Sequence, residues 1–167
     1  MTESRPLPVD RTDETAVFDR RFAAVRDRLV RICTRLVGQE AANDVVQEAY
    51  LRGRARFAQL RDRDLFDAWL TRIALNLCAN LHRSERRLRD LLPSLRPSQR
   101  TPERDVGLRE LIERLPPRER TLVVLHYGHG YHFDEIAQMT GLSTVNARTI
   151  VFRARRRLAD QLGDQDR

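Results

Sequence analysis

The chain has 167 residues, of which 41% are hydrophobic, so it can form one ordinary domain or two small ones with apolar cores. Its 31 basic residues, all of them arginine, outnumber 24 acidic ones and give a net charge of +7, which favours a polyanionic partner. No apolar run is long enough to span a membrane, and the N-terminus lacks the apolar region of a secretory signal, so we expect a cytoplasmic protein.

The first predicted helix follows a leader, residues 1–11, in which Pro6 and Pro8 stand among charged residues and disorder is expected. From residue 12 to Val37 the apolar residues keep helical spacing, which predicts one long amphipathic helix. Gly38 can adopt the positive φ that ends a helix. This helix is therefore predicted to be the first of an N-terminal helical domain that covers residues 12–91.

The second predicted helix, from about residue 40 to residue 57, has an apolar inner stripe and a polar outer strip. Asp44, Gln47 and Glu48 lie at i, i+3 and i+4, so they share one exposed face. A solvated surface is one interpretation of this strip. Acid–base or metal chemistry is disfavoured because no histidine or second acidic cluster accompanies the strip at ligand spacing. A surface that docks another protein fits the pattern better.

The third predicted helix follows a charged loop and begins near Asp67, and we expect Asp67, or a residue just before it, to cap it. Its apolar side includes Trp69, and its polar residues are predicted to face outward: Thr71, Arg72, Asn76, Asn80 and Arg83. Amides and arginines beside an aromatic ring can hold unstacked bases and their phosphates. Taken alone, however, this pattern fits an ordinary polar helix face with Trp69 in the core better.

A Pro-rich stretch, residues 92–106, separates this region from the rest and is predicted to be a linker. Residues 107–162 then form a small C-terminal domain of short helices, followed by a tail at 163–167. Within that domain, Gly141 can end one helix and Ser143 or Thr144 can cap the next. This is the pattern of a helix-turn-helix, so the sequence predicts an all-α protein of two small helical domains.

The last predicted helix has an apolar and a basic side. Ala147, Val151, Ala154 and Leu158 recur at spacings of four, three and four, which places them on the face that packs on the preceding helix. The other side carries arginines, with no acidic residue between Gly141 and Ala159. A helix in a DNA groove fits this arrangement better than the alternative, a solvated Arg-rich helix end.

Two sets of residues are candidate metal ligands or redox groups. Cys33 and Cys78 lie in apolar helical patterns without a CxxC spacing, so we expect buried, reduced thiols, with a redox pair as the alternative. His126, His129 and His132 recur every third residue, but the glycines between them disfavour the helix that a zinc site would need. The sequence therefore predicts no metal and no cofactor, and it contains no motif of an enzyme active site.

With these residues identified, the chain resembles the extracytoplasmic-function (ECF) sigma factors of bacterial RNA polymerase. The segment AANDVVQEAYLRG resembles the polymerase-docking segment of that family, and FDAWLTRIALNL resembles its promoter-melting helix. The segment LPPRERTLVVLHYGHGYHFDEIAQMTGLS resembles its C-terminal domain. Three matches in this order around a Pro-rich linker separate the family from the alternative, a stand-alone helix-turn-helix regulator of transcription.

The resemblance implies a transcription initiation subunit without catalysis, whose partners are core RNA polymerase, promoter DNA and an anti-sigma factor. It implies that Asp44, Gln47 and Glu48 bind the clamp helices of the largest polymerase subunit, while the C-terminal domain lies near the flap region. The implied contacts to the -10 element are Trp69, Arg72, Asn76, Asn80 and Arg83. The implied contacts to the -35 element are Thr144, Arg148, Thr149, Ile150, Phe152 and Arg153.

Some residues depart from the family pattern. Leu75 and Asn80 stand where a basic residue and an Asp are more frequent, and Asn43 stands where an acid is usual. Ile150 stands where Arg is frequent, and isoleucine can contact a thymine methyl group but cannot form two hydrogen bonds with guanine. We therefore predict a -35 preference that departs from the common one at the base facing Ile150.

Overall fold

The computed structural model describes residues 11–91 and 106–165, and its secondary structure over these ranges is entirely helical. The all-α prediction is confirmed. The helices are α1 (Arg11–Val37), α2 (Gln39–Arg56), α3 (Phe66–Leu91), α4 (Val106–Arg114), α5 (Pro117–Val123), α6 (Phe133–Thr140) and α7 (Thr144–Gln165). Short 3-10 turns occupy Phe57–Gln59 and Arg63–Leu65, and a π-helical turn occupies Val124–Gly128.

The described residues exclude nearly all of the predicted leader (1–11), nearly all of the predicted linker (92–106) and the end of the predicted tail (163–167). The first described residue, Arg11, already belongs to α1, and Val106 belongs to α4. Helix α7 continues to Gln165, three residues beyond the predicted end of the C-terminal domain.

Glycines and polar caps set several helix boundaries as the sequence predicts. Gly38, with φ of 86°, separates α1 from α2, and Gly141, with φ of 74°, ends α6 in the left-handed conformation. The hydroxyl of Ser143 accepts a hydrogen bond of 3.2 Å from the Asn146 amide and so caps α7. At the start of α6 the Glu135 carboxylate accepts a hydrogen bond from the backbone amide of His132 at 2.8 Å.

Of the two predicted cap positions for α3, Asp67 itself is wrong, whereas a start just before it agrees with the structure. Helix α3 already begins at Phe66, because a 3-10 turn leads directly into it. The carboxylate of Asp62 accepts a hydrogen bond from the Asp64 amide at 2.9 Å and begins that turn. Asp67 instead forms an ion pair of 2.6 Å with Arg28, which links α3 to α1.

An aromatic core joins α1, α2 and α3. The ring of the fully buried Phe18 meets those of Tyr50, Phe57 and Phe66 edge to face, with centroid distances of 5.4, 5.2 and 5.5 Å. Edge-to-face pairs of this kind add about 0.5–1.5 kcal/mol each to the stabilisation that burial provides. The aromatic core thereby fixes the relative positions of the two helices that carry the predicted docking strip and the predicted base-binding face.

The C-terminal helices pack on this N-terminal domain as well as on each other. Leu122 of α5, with Ile136 and Met139 of α6, belongs to the same hydrophobic cluster as Leu75 and Cys78 of α3. A second, smaller cluster joins α4, α5 and α7 through Leu111, Leu115, Val123, Ala154 and Leu158. The two helical domains therefore meet along a seam between α3 and the pair α5 and α6.

Candidate nucleic-acid interface

Helix α7 has an apolar face that is buried and an opposite face that is open to solvent. Ala147, Val151 and Ala154 are almost completely buried, which confirms the predicted inner face. On the outer face Phe152 is 63% exposed, although a large apolar side chain in such a position costs solvation free energy. Val145, at the start of the helix, is 73% exposed and was not among the predicted contacts.

Val145 and Phe152 lie seven residues apart, two helical turns, so they lie on one side of α7. Residues near the start of a recognition helix reach base edges most directly in helix-turn-helix proteins. A sequence signal could have identified Val145. It follows Thr144 directly, and its position does not fit the helical spacing of the residues on the buried face. An exposed apolar pair on a basic helix can contact thymine methyl groups.

The arginines of α7 have different surroundings. Those at positions 148, 153, 155 and 156 are exposed. The guanidinium of Arg148 lies 5.5 Å from the centroid of the Phe133 ring, which restricts where its charge lies. Arg157 instead forms an ion pair of 2.9 Å with Glu119 of α5 and holds the two helices together. The basic surface is thus formed mainly by the arginines before position 157.

The remaining predicted contacts of α7 differ in exposure. Thr144 and Thr149 are exposed, and the Thr149 hydroxyl donates a hydrogen bond to the Val145 carbonyl at 2.9 Å. Ile150 is half-buried and packs against the core, so only part of its side chain is open to a partner. The altered -35 preference at the base facing Ile150 remains a prediction.

The outer face of α3 is open to solvent and borders the C-terminal domain. Arg72, Asn76, Asn80 and Arg83 are all exposed. Arg72 donates a hydrogen bond to the backbone carbonyl of Gln138 in α6, and Asn76 lines the cleft between α3 and the helices α5 and α6. All four predicted base-binding residues are therefore open to solvent, and two of them, Arg72 and Asn76, lie beside the C-terminal domain.

Two other residues of α3 refine the sequence interpretation. The prediction that Thr71 faces outward is wrong, because the side chain is only 1% exposed; residue 71 lies next to Leu70 on the inner side of the helix. Trp69 is half-buried against the core, with its ring 6.0 Å from that of Phe66. Trp69 is thus partly a packing residue, and one side of it remains open.

The acidic strip of α2 is a continuous polar surface. Asp44 and Gln47 are exposed, and the Glu48 carboxylate accepts a hydrogen bond from the Arg52 guanidinium at 2.6 Å. Beside the strip runs a groove lined by polar and apolar residues of α1 and α2, among them Gln47 and Leu51, and Leu51 is 52% exposed. An acidic strip beside exposed apolar surface is suited to docking another protein.

The two cysteines lie together in the core between α1 and α3. Both are free and buried. A hydrogen bond between the Cys78 and Cys33 thiols, together with burial, holds the pKa of Cys78 well above its ordinary value. The neutral thiol is the less reactive form, so this environment disfavours the reactive thiolate of Cys78.

The three spaced histidines have separate roles at the seam and in the turn. His126 makes a hydrogen bond of 2.9 Å through Nδ1 with the Tyr131 carbonyl and stacks on Phe133. The backbone amide of His132 donates its hydrogen bond to the Glu135 carboxylate. Burial and the charges of Arg35 and Arg31 lower the pKa of His129. Among the described residues, no three side chains of His, Cys, Asp or Glu gather at metal-binding distance.

Over the described ranges, none of the helices combines the length and the apolar character needed to cross a membrane.

Comparison with known protein families assigns both domains. Residues 22–88 match the family described as Sigma-70 region 2, and residues 106–158 match Sigma-70, region 4. The ECF RNA polymerase sigma factor SigM of Mycobacterium tuberculosis is 30% identical over 81% of this chain and 70% of its own length. The RNA polymerase sigma-E factor of Streptomyces avermitilis is 27% identical over 92% of this chain and 89% of its own length.

Solved structures show the same fold. The sigma factor RpoE, crystallised with the anti-sigma factor NepR from Bartonella quintana, superposes with a TM-score of 0.65 at 20% identity, covering 87% of this chain and 96% of RpoE. CnrH, solved in complex with the cytosolic domain of CnrY, superposes with a TM-score of 0.66 at 22% identity, covering 92% of this chain and 95% of CnrH.

Proposed function

The chain belongs to the ECF sigma factors of RNA polymerase, and we propose that it is a dissociable initiation subunit that binds core polymerase and directs it to specific promoters. The resemblance inferred from the sequence is thereby confirmed. The observation that supports the proposal most is the presence of both sigma regions in one chain, since a stand-alone regulator needs only the helix-turn-helix. The subunit performs no catalysis itself and acts in the cytoplasm, where core polymerase works.

We infer that core polymerase binds the acidic strip of Asp44, Gln47 and Glu48. The expected contact on the polymerase is the clamp helices of its largest subunit, while the C-terminal domain of this chain lies near the polymerase flap region. Exposed carboxylates in a chain of net charge +7 support an interaction with a basic protein surface rather than with DNA.

For the upstream promoter element, we propose that α7 enters the major groove. Thr144, Val145, Thr149 and Phe152 contact base edges and methyl groups there, with Ile150 at the margin of this surface. Arg148 and Arg153 bind the phosphates and set the register of the helix in the groove.

For the downstream element, we propose that α3 binds the strand that opens. Asn76, Asn80, Arg72 and Arg83 supply amides and cations for unpaired bases and phosphates, and the open side of Trp69 supplies a stacking surface. Melting needs no chemical step, because preferential binding of the single strand shifts the equilibrium toward the open duplex.

Run-off transcription tests this proposal. Core polymerase plus the full chain is first used to select promoters from a random DNA library. The variant Asp44→Arg with Glu48→Arg is then compared with the wild type, and we expect transcription to fall by about tenfold or more, since like charges in an interface cost several kcal/mol. The control is Asp27→Arg, a side chain of α1 that is 81% exposed.

The control variant should transcribe as the wild type does. Undiminished transcription by the double variant would refute the docking surface. If the wild-type chain bound selected DNA without core polymerase and never co-purified with it, the function would be that of a stand-alone helix-turn-helix regulator.

Specificity is tested on the same selected promoters. Replacing Ile150 by Arg should change the preferred base at one position of the -35 logo, and replacing Val145 by Asn should change a different position. If neither substitution changed the sequence logo of the selected -35 elements, the assignment of this face of α7 to base contacts would be contradicted.

We also propose that an anti-sigma protein binds the chain, because the structurally similar proteins RpoE and CnrH were each solved in complex with a partner, an anti-sigma factor in the first case. A candidate partner added in stoichiometric amount should abolish run-off transcription from the selected promoters. A partner that bound the chain and left transcription unchanged would not be an anti-sigma protein.

A further inference from the structure

The connecting loop, residues 57–65, joins α2 to α3 and has exposed side chains on both sides of one that is half-buried. The half-buried residue is Arg63, and the exposed ones are Arg61, Asp62, Asp64 and Leu65. A loop with so many exposed residues keeps one conformation only if other contacts anchor it, because ordering its backbone costs conformational entropy. The contacts of Arg63 therefore decide how the loop is held.

The side chain of Arg63 makes three anchoring contacts. Its guanidinium carbon lies 3.7 Å from the centroid of the buried Phe57 ring, and its Nη1 atom donates a hydrogen bond of 2.8 Å to the Phe57 carbonyl. Its Nη2 atom forms an ion pair of 3.4 Å with the Glu14 carboxylate of α1. A planar guanidinium can stack on a ring and donate several hydrogen bonds at once, whereas the ammonium group of a lysine is a point charge. Arg63 thus joins the end of the loop to its beginning and to α1.

Arg21 of α1 holds the backbone of the same residue. Its Nη1 atom donates a hydrogen bond of 2.6 Å to the Arg63 carbonyl. Its guanidinium carbon also lies 5.9 Å from the centroid of the ring of Phe66, the first residue of α3. Arg63 is therefore held by both its side chain and its carbonyl, and these contacts determine the direction in which the next residues of the loop point.

The last residue of the loop lies in line with the proposed base-binding face of α3. Leu65, Trp69, Arg72 and Asn76 follow one another at spacings of four, three and four, and the 3-10 turn that contains Leu65 leads directly into the helix. Leu65 is 43% exposed although it is apolar. An exposed apolar side chain near an open aromatic ring can pack against an unpaired base. The line of proposed contacts therefore begins in the loop that Arg63 anchors.

We propose that Arg63 is a positioning residue for promoter melting, because it holds the connecting loop so that Leu65 extends the base-binding face of α3 and packs against an unpaired base. The inference rests on the proposed function of α3. Arg63 acts through Leu65 and does not contact the DNA itself. Since the loop is already ordered before the strand binds, less conformational entropy is lost on binding, and both affinity and base discrimination increase.

Base discrimination within the -10 element tests the inference. Core polymerase with the full chain is bound to single-stranded oligonucleotides that carry the selected -10 element or a change of one base. Leu65→Ala should reduce discrimination at one position, and Arg63→Gln should reduce it at the same position by about tenfold, since the loop must then be ordered during binding. The double variant should lose no more discrimination than Leu65→Ala alone, because the two residues act as one unit. Affinity for core polymerase and the -35 logo should remain those of the wild type.

Two further variants separate positioning from charge. Arg63→Lys keeps the charge but lacks the planar guanidinium, so it should restore little of the discrimination. The matched control is Arg56→Gln, which removes the same charge from an exposed side chain just before the loop and should behave as the wild type does.

Hydrogen exchange measures the anchoring directly. The amides of residues 61–65 should exchange faster in Arg63→Gln than in the wild type. The increase should be smaller in Glu14→Gln, which breaks only the ion pair of 3.4 Å and leaves the contacts with Phe57 in place.

Three results would overturn the inference: wild-type discrimination in Arg63→Gln, full recovery in Arg63→Lys, or unchanged hydrogen exchange in the loop. Equal losses at every base together with weaker binding of core polymerase would also overturn it, because a general loss of folding would then explain the effect. Failure of the wild-type chain to support transcription would refute the proposed function itself, while hydrogen exchange would still report whether Arg63 anchors the loop.

Discussion

Gly53 lies where α2 packs on α1 and α3, and we expect Gly53→Ala to destabilise the N-terminal domain. A Cβ atom at this position would lie 2.8 Å from Cδ1 of Leu70 and 3.1 Å from Cζ of Phe18. Both of these side chains are fully buried, so neither can move into solvent to make room. Overpacking of this kind costs about 1–3 kcal/mol.

The same substitution has a favourable term, because alanine is about 1 kcal/mol better than glycine within a helix. The difference between the two terms is a net loss of about 0–2 kcal/mol in the free energy of unfolding. Urea unfolding measures it, followed by far-UV circular dichroism and by the fluorescence of Trp69. Trp69 reports on the same domain, since its ring packs near that of Phe66.

The matched control is Gly107→Ala in α4, where an added Cβ atom would meet nothing within 4 Å. Only the helical preference acts there, so this variant should be unchanged or up to about 1 kcal/mol more stable. If Gly53→Ala stabilised the chain as much as Gly107→Ala did, the close approach of the three helices would be refuted.

Other predictions concern the turn, the seam and the core. Gly141→Ala should lower the free energy of unfolding by about 1–2 kcal/mol in urea titrations, because a residue with a Cβ is strained at a φ of 74°. Burial and the nearby Arg35 and Arg31 lower the pKa of His129 from 6.5, so the folded chain disfavours its protonation. The free energy of unfolding should therefore be fully retained above pH 6.5 and fall as the pH drops below it, and His129→Gln should reduce that fall. Because a hydrogen bond to the neighbouring thiol and burial raise the pKa of Cys78, iodoacetamide should modify it far more slowly in the native chain than in urea, as followed by mass spectrometry.

Much of the fold could be predicted from the sequence because its signals are local. Gly38 and Gly141 end helices since glycine adopts a positive φ easily, and Ser143 caps α7 through an amide three residues away. The buried face of α7 follows from helical spacing alone. The sequence left the cap of α3 open between Asp67 and a residue just before it, because short polar residues near a helix start offer equivalent signals. The 3-10 turn that Asp62 begins leads into the helix at Phe66 and decides for the earlier position.

The candidate site could be predicted only in part. The periodicity of α3 placed Thr71 with its polar neighbours, whereas the packing of three helices buries it. Val145 was missed because its only signal, a position out of phase with the buried face of α7, is weak for a single apolar residue, and its 73% exposure is visible only once the rest of α7 is packed. That Arg72 and Asn76, although exposed, lie beside α5 and α6 depends on a domain that lies beyond the Pro-rich segment.

The sequence by itself determined the helices, the helix-turn-helix, the acidic strip and the family, because each depends on residues a few positions apart. Only the tertiary structure decided three contacts: the Cys33 thiol lies beside that of Cys78, Arg72 donates a hydrogen bond to the backbone of α6, and Leu75 is buried against residues of the C-terminal domain. These contacts join residues 45 to 67 positions apart in the chain, and the free energy that selects them comes from burying apolar surface of both domains at once. No pattern within one helix specifies which distant helix will cover it.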